Sequence, residues 1–123
     1  MKKSELLAPA GSFECGKAAL YSGADAIYLA LEAFGARAYA KNFTTAELIS
    51  ILKIAHTLNK KVYVTVNTLI KNNELNSVYD FLDNVYTLGV DGVICADIAV
   101  FMYVINNCKG MECHISTQAG VKD

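Results

Sequence analysis

The stretch Gly23-Ala24-Asp25-Ala26-Ile27-Tyr28-Leu29 recurs in residue class as Gly89-Val90-Asp91-Gly92-Val93-Ile94-Cys95. The two copies lie 66 residues apart, which is two units of 33. Each reads as a glycine that ends a helix, a short turn and a buried strand, since glycine tolerates the left-handed helix end and a short apolar run suits a covered strand. Consecutive units of this length imply parallel strands joined by right-handed crossovers, in a barrel or in an open doubly wound sheet. A closed eight-unit barrel takes about 250 residues, roughly 31 per unit, so the period favours the barrel.

The rest of the chain fits the same unit. A first strand covers residues 5–8 and is closed by Pro9 and Gly11, which continue a central strand or a helix poorly. Ser12 is placed to N-cap a helix over 13–22, with Gly23 just past its end. A second strand covers 26–31. Thr44-Thr45-Ala46-Glu47 then has capping-box spacing, in which threonine and glutamate satisfy each other's free backbone N–H groups. Leu48, Ile49, Leu52, Ala55 and Leu58 form the apolar face of that helix, and Asn59 can take the left-handed conformation that stops it. A third strand covers 61–66. Leu75, Val78, Phe81, Leu82, Val85 and Leu88 carry the clearest helical period, ended by Gly89. A strand over 93–96, a helix over 98–106 and a strand over 112–116 complete the series. The expected fold is therefore α/β, a partial (β/α)8 TIM-type barrel of about four and a half βα units. Residues 1–123 would form its N-terminal half, with the C-terminal half absent.

Composition narrows the function. A chain of 123 residues that is 54% hydrophobic and 19% charged buries a core and forms one domain at most. Eleven basic against twelve acidic residues, with no basic run longer than Lys60-Lys61, leave no excess positive charge for a phosphate backbone. No apolar stretch approaches a membrane span, and Met1-Lys2-Lys3 leads into Ser4-Glu5 instead of an apolar signal core, so a cytoplasmic location is expected. Cys15, Cys95, Cys108 and Cys113 form no C-x-x-C pair and read as reduced thiols.

Strand parity locates the polar residues. Alternate side chains of a strand face opposite sides, and the outer face of a barrel packs on helices. Val62, Val64 and Val66 then face out, and Tyr63, Thr65 and Asn67 face in. Ile27 and Leu29 face out, leaving Tyr28, Ala30 and Glu32 inside. On the fifth strand Cys113, Ile115 and Thr117 face the helices, while His114, Ser116 and Gln118 face inward. Barrel sites lie at the C-terminal strand ends, occupied here by Pro9 to Ser12, Glu32 to Asn42, Asn67-Thr68, Asp97 and Ser116-Thr117-Gln118. The candidate substrate-binding residues are Glu32, Arg37, Asn67, Thr68, Asp97, His114, Ser116 and Gln118.

Each has a structural alternative. A buried polar strand end can bond loop backbone, Arg37 can brace a loop instead of gripping a carboxylate or phosphate, and Asp97 can N-cap the following helix. His114 can be a hydrogen-bonded core histidine, and His56 sits within a helix as a surface or packing residue. Cys113 and His114 point to opposite faces and cannot readily share a metal. The chain carries no G-x-S-x-G, H-E-x-x-H or G-x-x-x-x-G-K-[ST] motif. His114 is the sole barrel-facing base available to a nucleophile, so the catalytic residues stay unassigned.

Seven blocks in order resemble one family: Glu5-Leu6-Leu7-Ala8-Pro9-Ala10-Gly11, Gly23-Ala24-Asp25-Ala26-Ile27-Tyr28, Phe34-Gly35-Ala36-Arg37, Asn42-Phe43, Val62-Tyr63-Val64-Thr65-Val66-Asn67-Thr68, Gly89-Val90-Asp91 and His114-Ile115-Ser116-Thr117-Gln118. Over roughly residues 5–120 they are similar to the opening half of the U32 peptidases, or collagenase-like proteases. The resemblance implies an enzyme family whose members include oxygen-independent hydroxylases of tRNA, of 23S ribosomal RNA and of ubiquinone precursors. The RNA-modifying members are linked to prephenate. It also implies a 4Fe-4S cluster on four cysteines in the second half of the barrel, so no cofactor is expected within this chain, and none of its cysteines falls at a matching position. Ala30 stands where many relatives have glycine, and Ala96-Asp97-Ile98-Ala99 replaces a frequent aspartate-proline or aspartate-glycine junction.

The expected function is thus an N-terminal piece of a prephenate-dependent RNA hydroxylase, inactive alone, with a prephenate-like carboxylated molecule and RNA as partners once completed. A collagenase-like peptidase is the second expectation. The third is a non-enzymatic half-barrel that self-associates or pairs with a separate second half, because strands one and five would otherwise be open edges.

Overall fold

The computed structural model describes residues 5–31, 43–66 and 75–116. Among these residues five strands and four helices alternate: β1 (Leu7–Pro9), α1 (Phe13–Tyr21), β2 (Ala26–Leu29), α2 (Thr45–Thr57), β3 (Lys61–Val66), α3 (Leu75–Leu88), β4 (Gly92–Cys95), α4 (Ile98–Asn107) and β5 (Glu112–Ile115). All strands are parallel, in the order β1-β2-β3-β4-β5. Each strand therefore lies beside its predecessor, with no switch of direction across the sheet.

Local chemistry sets the boundaries. Ser12 Oγ accepts the Cys15 N–H at 3.1 Å and opens α1. Thr44 Oγ1 accepts from Glu47 N at 3.1 Å while Glu47 Oε1 accepts from Thr44 N at 3.1 Å, the expected capping box of α2. Asn59, with φ 64°, takes the left-handed turn after α2. Small shifts in the strands have physical causes. Pro9 lies inside β1, not after it, because Ala10 N–H donates to Tyr28 O and the backbone groups of Pro9 consequently face the side without a neighbour. β2 ends at Leu29, and Leu31 is held separately by a parallel bridge to Phe43.

The repeated turns do the same work twice. Gly23 and Gly89 have φ of 114° and 100°, which L side chains rarely adopt. Two residues on, the Asp25 carboxylate accepts the Leu6 N–H at 2.8 Å, and the Asp91 carboxylate accepts the Val62 N–H at 2.8 Å. Each aspartate thus ties the start of one strand to the start of the next.

The pairing register sorts side chains into two faces. Ile27, Leu29, Val62, Val64, Val66, Val93 and Cys95 share one face and join Leu20, Leu48, Ile51, Leu52, Leu82, Val85, Val100 and Val104 of the helices in a single core. Tyr28, Tyr63, Thr65, Ile94, Glu112 and His114 share the other. The expected parity of β2 and β3 is therefore observed. Cys113 also packs against the helix-side core, but Ile115 on the same face remains exposed. Among the described residues, no helix is long and apolar enough to cross a membrane.

Candidate functional site

Three of the eight candidate binding residues lie among the described residues: Asp97, His114 and Ser116. Glu32, Arg37, Asn67, Thr68 and Gln118 lie outside them. Asp97 follows the C-terminal end of β4, and its Oδ1 accepts the Ala99 N–H at 2.7 Å as the N-cap of α4. Ser116 follows β5, where its backbone N–H donates to Cys95 O at 2.6 Å. The two thus stand side by side at the ends of neighbouring strands. His114 is one turn of the pleat lower, on the face opposite the helices.

His114 is hydrogen-bonded but not a core residue. Its side chain is 56% exposed, its Nε2 is 3.0 Å from Glu112 Oε1, and its ring meets Tyr63 edge-on at 5.5 Å between centroids. Glu112 is the hub of a four-residue cluster. Lys61 Nζ donates to its Oε2 at 2.9 Å, and Tyr63 Oη donates to its Oε1 at 3.0 Å. These two side chains come from β3 and reach across β4 to β5. They pass over Gly92: a Cβ there would come within 2.6 Å of the Tyr63 ring and 3.0 Å of Glu112 Cβ. A shallow depression of about 240 Å³ beside the cluster is lined by Glu5, Leu7, Tyr63, Ile94 and His114.

The cluster holds its charges firmly. Hydrogen bonding from Lys61, aided by weaker bonds from His114 and Tyr63, outweighs the cost of burial and pulls the Glu112 carboxyl down to about 2. Burial, reinforced by the bond to Glu112, pushes the Tyr63 phenol up to about 12. The bond to Glu112 likewise raises the Lys61 ammonium. A carboxylate so depressed is a poor proton carrier near neutrality. Lys61 and Glu112 also open their strands, so the cluster lies toward the N-terminal edge, where side chains of parallel sheets brace the fold. Ligand sites of such sheets form at the carboxyl edge, which here presents Asp97 and Ser116.

Sequence parity placed Tyr63 and His114 on one face but did not single out Lys61 or Glu112. The available signal was the pair Lys61-x-Tyr63 and Glu112-x-His114, each on one face of its strand, with a glycine on the strand between them. His56 is a surface residue of α2, as expected, and its Nε2 lies 2.8 Å from Asp91 Oδ2. Among the described residues, then, each histidine bonds a carboxylate and neither bonds a serine or cysteine. A nucleophile–base pair of the acyl-transfer type is not formed by them.

The described residues also offer no place for an iron–sulfur cluster. Four thiolates must converge on one, whereas no group of three or more His, Cys, Asp or Glu side chains among the described residues could hold a metal. Cys15 is exposed on α1, Cys108 is buried at the end of α4, and Cys95 and Cys113 form a separate pair.

A sequentially ordered, all-parallel sheet with its helix-covered core on one face and polar groups at the carboxyl strand ends defines an α/β protein of the repeated βα class. The sequence profile of Peptidase family U32 matches residues 11–123, and the chain belongs to that family. It is 43% identical over 117 residues to a Methanocaldococcus jannaschii protein named as an uncharacterized protease, covering 95% of this chain and 28% of that one. It is 34% identical over 122 residues to tRNA hydroxylation protein P1 of Bacillus subtilis, covering 99% of this chain and 29% of that one. The solved structure of a U32 peptidase superposes with a TM-score of 0.75 at 19% identity, over 98% of this chain and 53% of the other. The chain thus spans less than a third of these curated relatives and about half of the solved structure.

Proposed function

We propose that this chain supplies the N-terminal half of a (β/α)8 barrel in an RNA-hydroxylating member of family U32, and that it is inactive until the rest of the barrel is present. The single observation that carries this reading is the uninterrupted strand order β1-β2-β3-β4-β5 with polar residues at its carboxyl edge. An open doubly wound sheet reverses strand order at a switch point, and a barrel does not. The similarity to a tRNA hydroxylation protein supports the RNA substrate. A prephenate-like carboxylated molecule would sit over the strand ends, gripped by Arg37 and oriented by Glu32, Asn67, Thr68 and Gln118. Asp97 would fix the start of α4, Ser116 would complete the wall, and His114, two residues before Ser116, would lie beneath it.

The test joins this chain to the remaining residues of the Bacillus subtilis relative in a strain lacking its own tRNA hydroxylation activity. Hydroxylated nucleoside should reappear by mass spectrometry of digested tRNA and vanish in the Arg37→Ala, Asn67→Ala double variant. Restored hydroxylation that survives both changes would sink the site assignment. For the peptidase alternative to stand, gelatin cleavage by the purified chain would have to depend on Ser116 or His114, which do not bond one another here.

A second reading has its own support. Leu6 and Leu7 at the start of β1, Ile115 at the end of β5, and Ile98, Met102 and Ile105 on the adjoining α4 are exposed large apolar side chains at the two ends of the sheet. Edges of this kind pair with other strands. The chain by itself therefore self-associates or binds a separate βα segment through these edges.

A further inference from the structure

The Sγ atoms of Cys95 and Cys113 lie 3.7 Å apart, on neighbouring strands and on the helix-covered face. They are not directly opposite: Cys95 pairs with Ile115, and Cys113 with Val93, so the two thiols meet along a diagonal. Cys95 is fully buried, whereas Cys113 is partly open to solvent, which gives the pair one inner and one outer sulfur. Both stand directly beneath the candidate site. The Cys95 carbonyl accepts the Ser116 N–H, and Asp97 lies two residues beyond Cys95.

We propose that Cys95 and Cys113 form an oxidisable dithiol, closed to a reversible disulfide by hydroperoxides, that clamps β4 to β5 under the strand ends. The chemistry balances with hydrogen peroxide as the oxidant. With the shared proton passed to Cys95, the outer sulfur of Cys113 attacks one peroxide oxygen; the S–O bond forms, the O–O bond breaks, and the departing hydroxide takes the proton from Cys95 to become water. The Cys95 thiolate then attacks Cys113 Sγ; the S–S bond forms, the S–O bond breaks, and the second hydroxide leaves as water. Two thiols and one peroxide thus give one disulfide and two waters, with two electrons passing from sulfur to oxygen.

The surroundings favour a shared proton between the two sulfurs. The S–H of Cys113, and the Asp97 backbone N–H against the effect of burial, hold Cys95 below the ordinary thiol value. The same bond, then burial, raises Cys113. Once Cys95 carries the charge it is the natural resolving nucleophile. The diagonal also predicts lability. With parallel strands about 4.8 Å apart and a rise of about 3.3 Å per residue, a two-residue offset puts the Cα atoms about 8 Å apart, while disulfides rarely span more than about 6.8 Å. Closure must draw the strands together, so the bond forms under strain and yields readily to reductants.

The full chain, purified reduced, would be exposed to hydrogen peroxide at neutral pH without denaturant and followed by intact mass and non-reducing peptide mapping. The expected product has lost two hydrogen masses, joins the Cys95 and Cys113 peptides, and reverts with dithiothreitol. Cys15→Ser should leave this unchanged, and Cys113→Ser should abolish it. Oxygen gain at Cys113 without hydrogen loss, a bridge that includes Cys15 or Cys108, or closure as fast in urea as in buffer would each overturn the proposal. The wild-type map decides the matter even if Cys113→Ser does not fold.

Discussion

Gly92 illustrates how one missing side chain organises its neighbours. With a Cβ forced to 2.6 Å from the Tyr63 ring, Gly92→Ala must swing the tyrosine away from Glu112. A cost of about 1–3 kcal/mol is expected from overpacking, measured by urea denaturation. The loss should shrink in a Tyr63→Ala background, which removes the clash. Glu112 predicts a pH dependence of defined sign. Its carboxyl is depressed from 4.5 to about 2, so its contribution is complete above pH 4.5 and is lost as pH falls toward 2. Glu112→Gln should flatten the stability curve in that window. Because its partners are partly solvated, the effect is about 1 kcal/mol or less. Such residues divide cleanly in what the sequence discloses. Thr44, Asn59 and Asp97 act on atoms a few positions away, and their roles could be read from spacing. Lys61 and Glu112 meet across 51 positions and an intervening strand, a contact that only the register creates.

At the scale of elements, the two matching turns should respond unequally to the same mutation. Asp91 bonds the N–H of fully buried Val62 and also His56, whereas Asp25 bonds the N–H of exposed Leu6. Removing the carboxylate takes the partner from a donor on a fully buried residue, and Asp91→Ala should cost about 1–3 kcal/mol. Water can replace the carboxylate at Leu6, so Asp25→Ala should cost under about 1 kcal/mol. Equal losses in parallel urea titrations would contradict this reading. The capping box gives a third element-level expectation: Thr44→Ala should destabilise the fold by about 1 kcal/mol. The four helices and five strands of the described residues were all visible in the sequence, because the periods and caps are local signals. The strand limits were less so. Pro9 belongs to β1 only because β1 is an edge, and edge status belongs to the assembled sheet.

For the whole molecule, the exposed Ile98, Met102 and Ile105 fall along one side of α4, next to exposed Ile115. If these residues mediate association, light scattering on a sizing column should detect assemblies larger than the 13.3 kDa monomer. The Met102→Glu, Ile105→Glu variant should shift that distribution toward the monomer, and a wild-type chain that stays monodisperse and monomeric would refute it. Parity in β2 and β3 anticipated which face packs against helices, since the valines and isoleucine leave no alternative. It did not anticipate that His114 would stay open to solvent, because parity assigns a face and says nothing of what covers it. The candidate site was accordingly legible as a set of strand ends, and only Asp97 had a local role that spacing alone could define.

The uninterrupted strand order also governs how the chain can assemble in time. Each strand from β2 to β5 pairs with the one synthesised just before it, so each has a first partner as soon as it is translated. Each new βα unit leaving the ribosome meets a surface already in place, and the edge presented by β5 is the same kind of surface that β2, β3 and β4 each offered in turn.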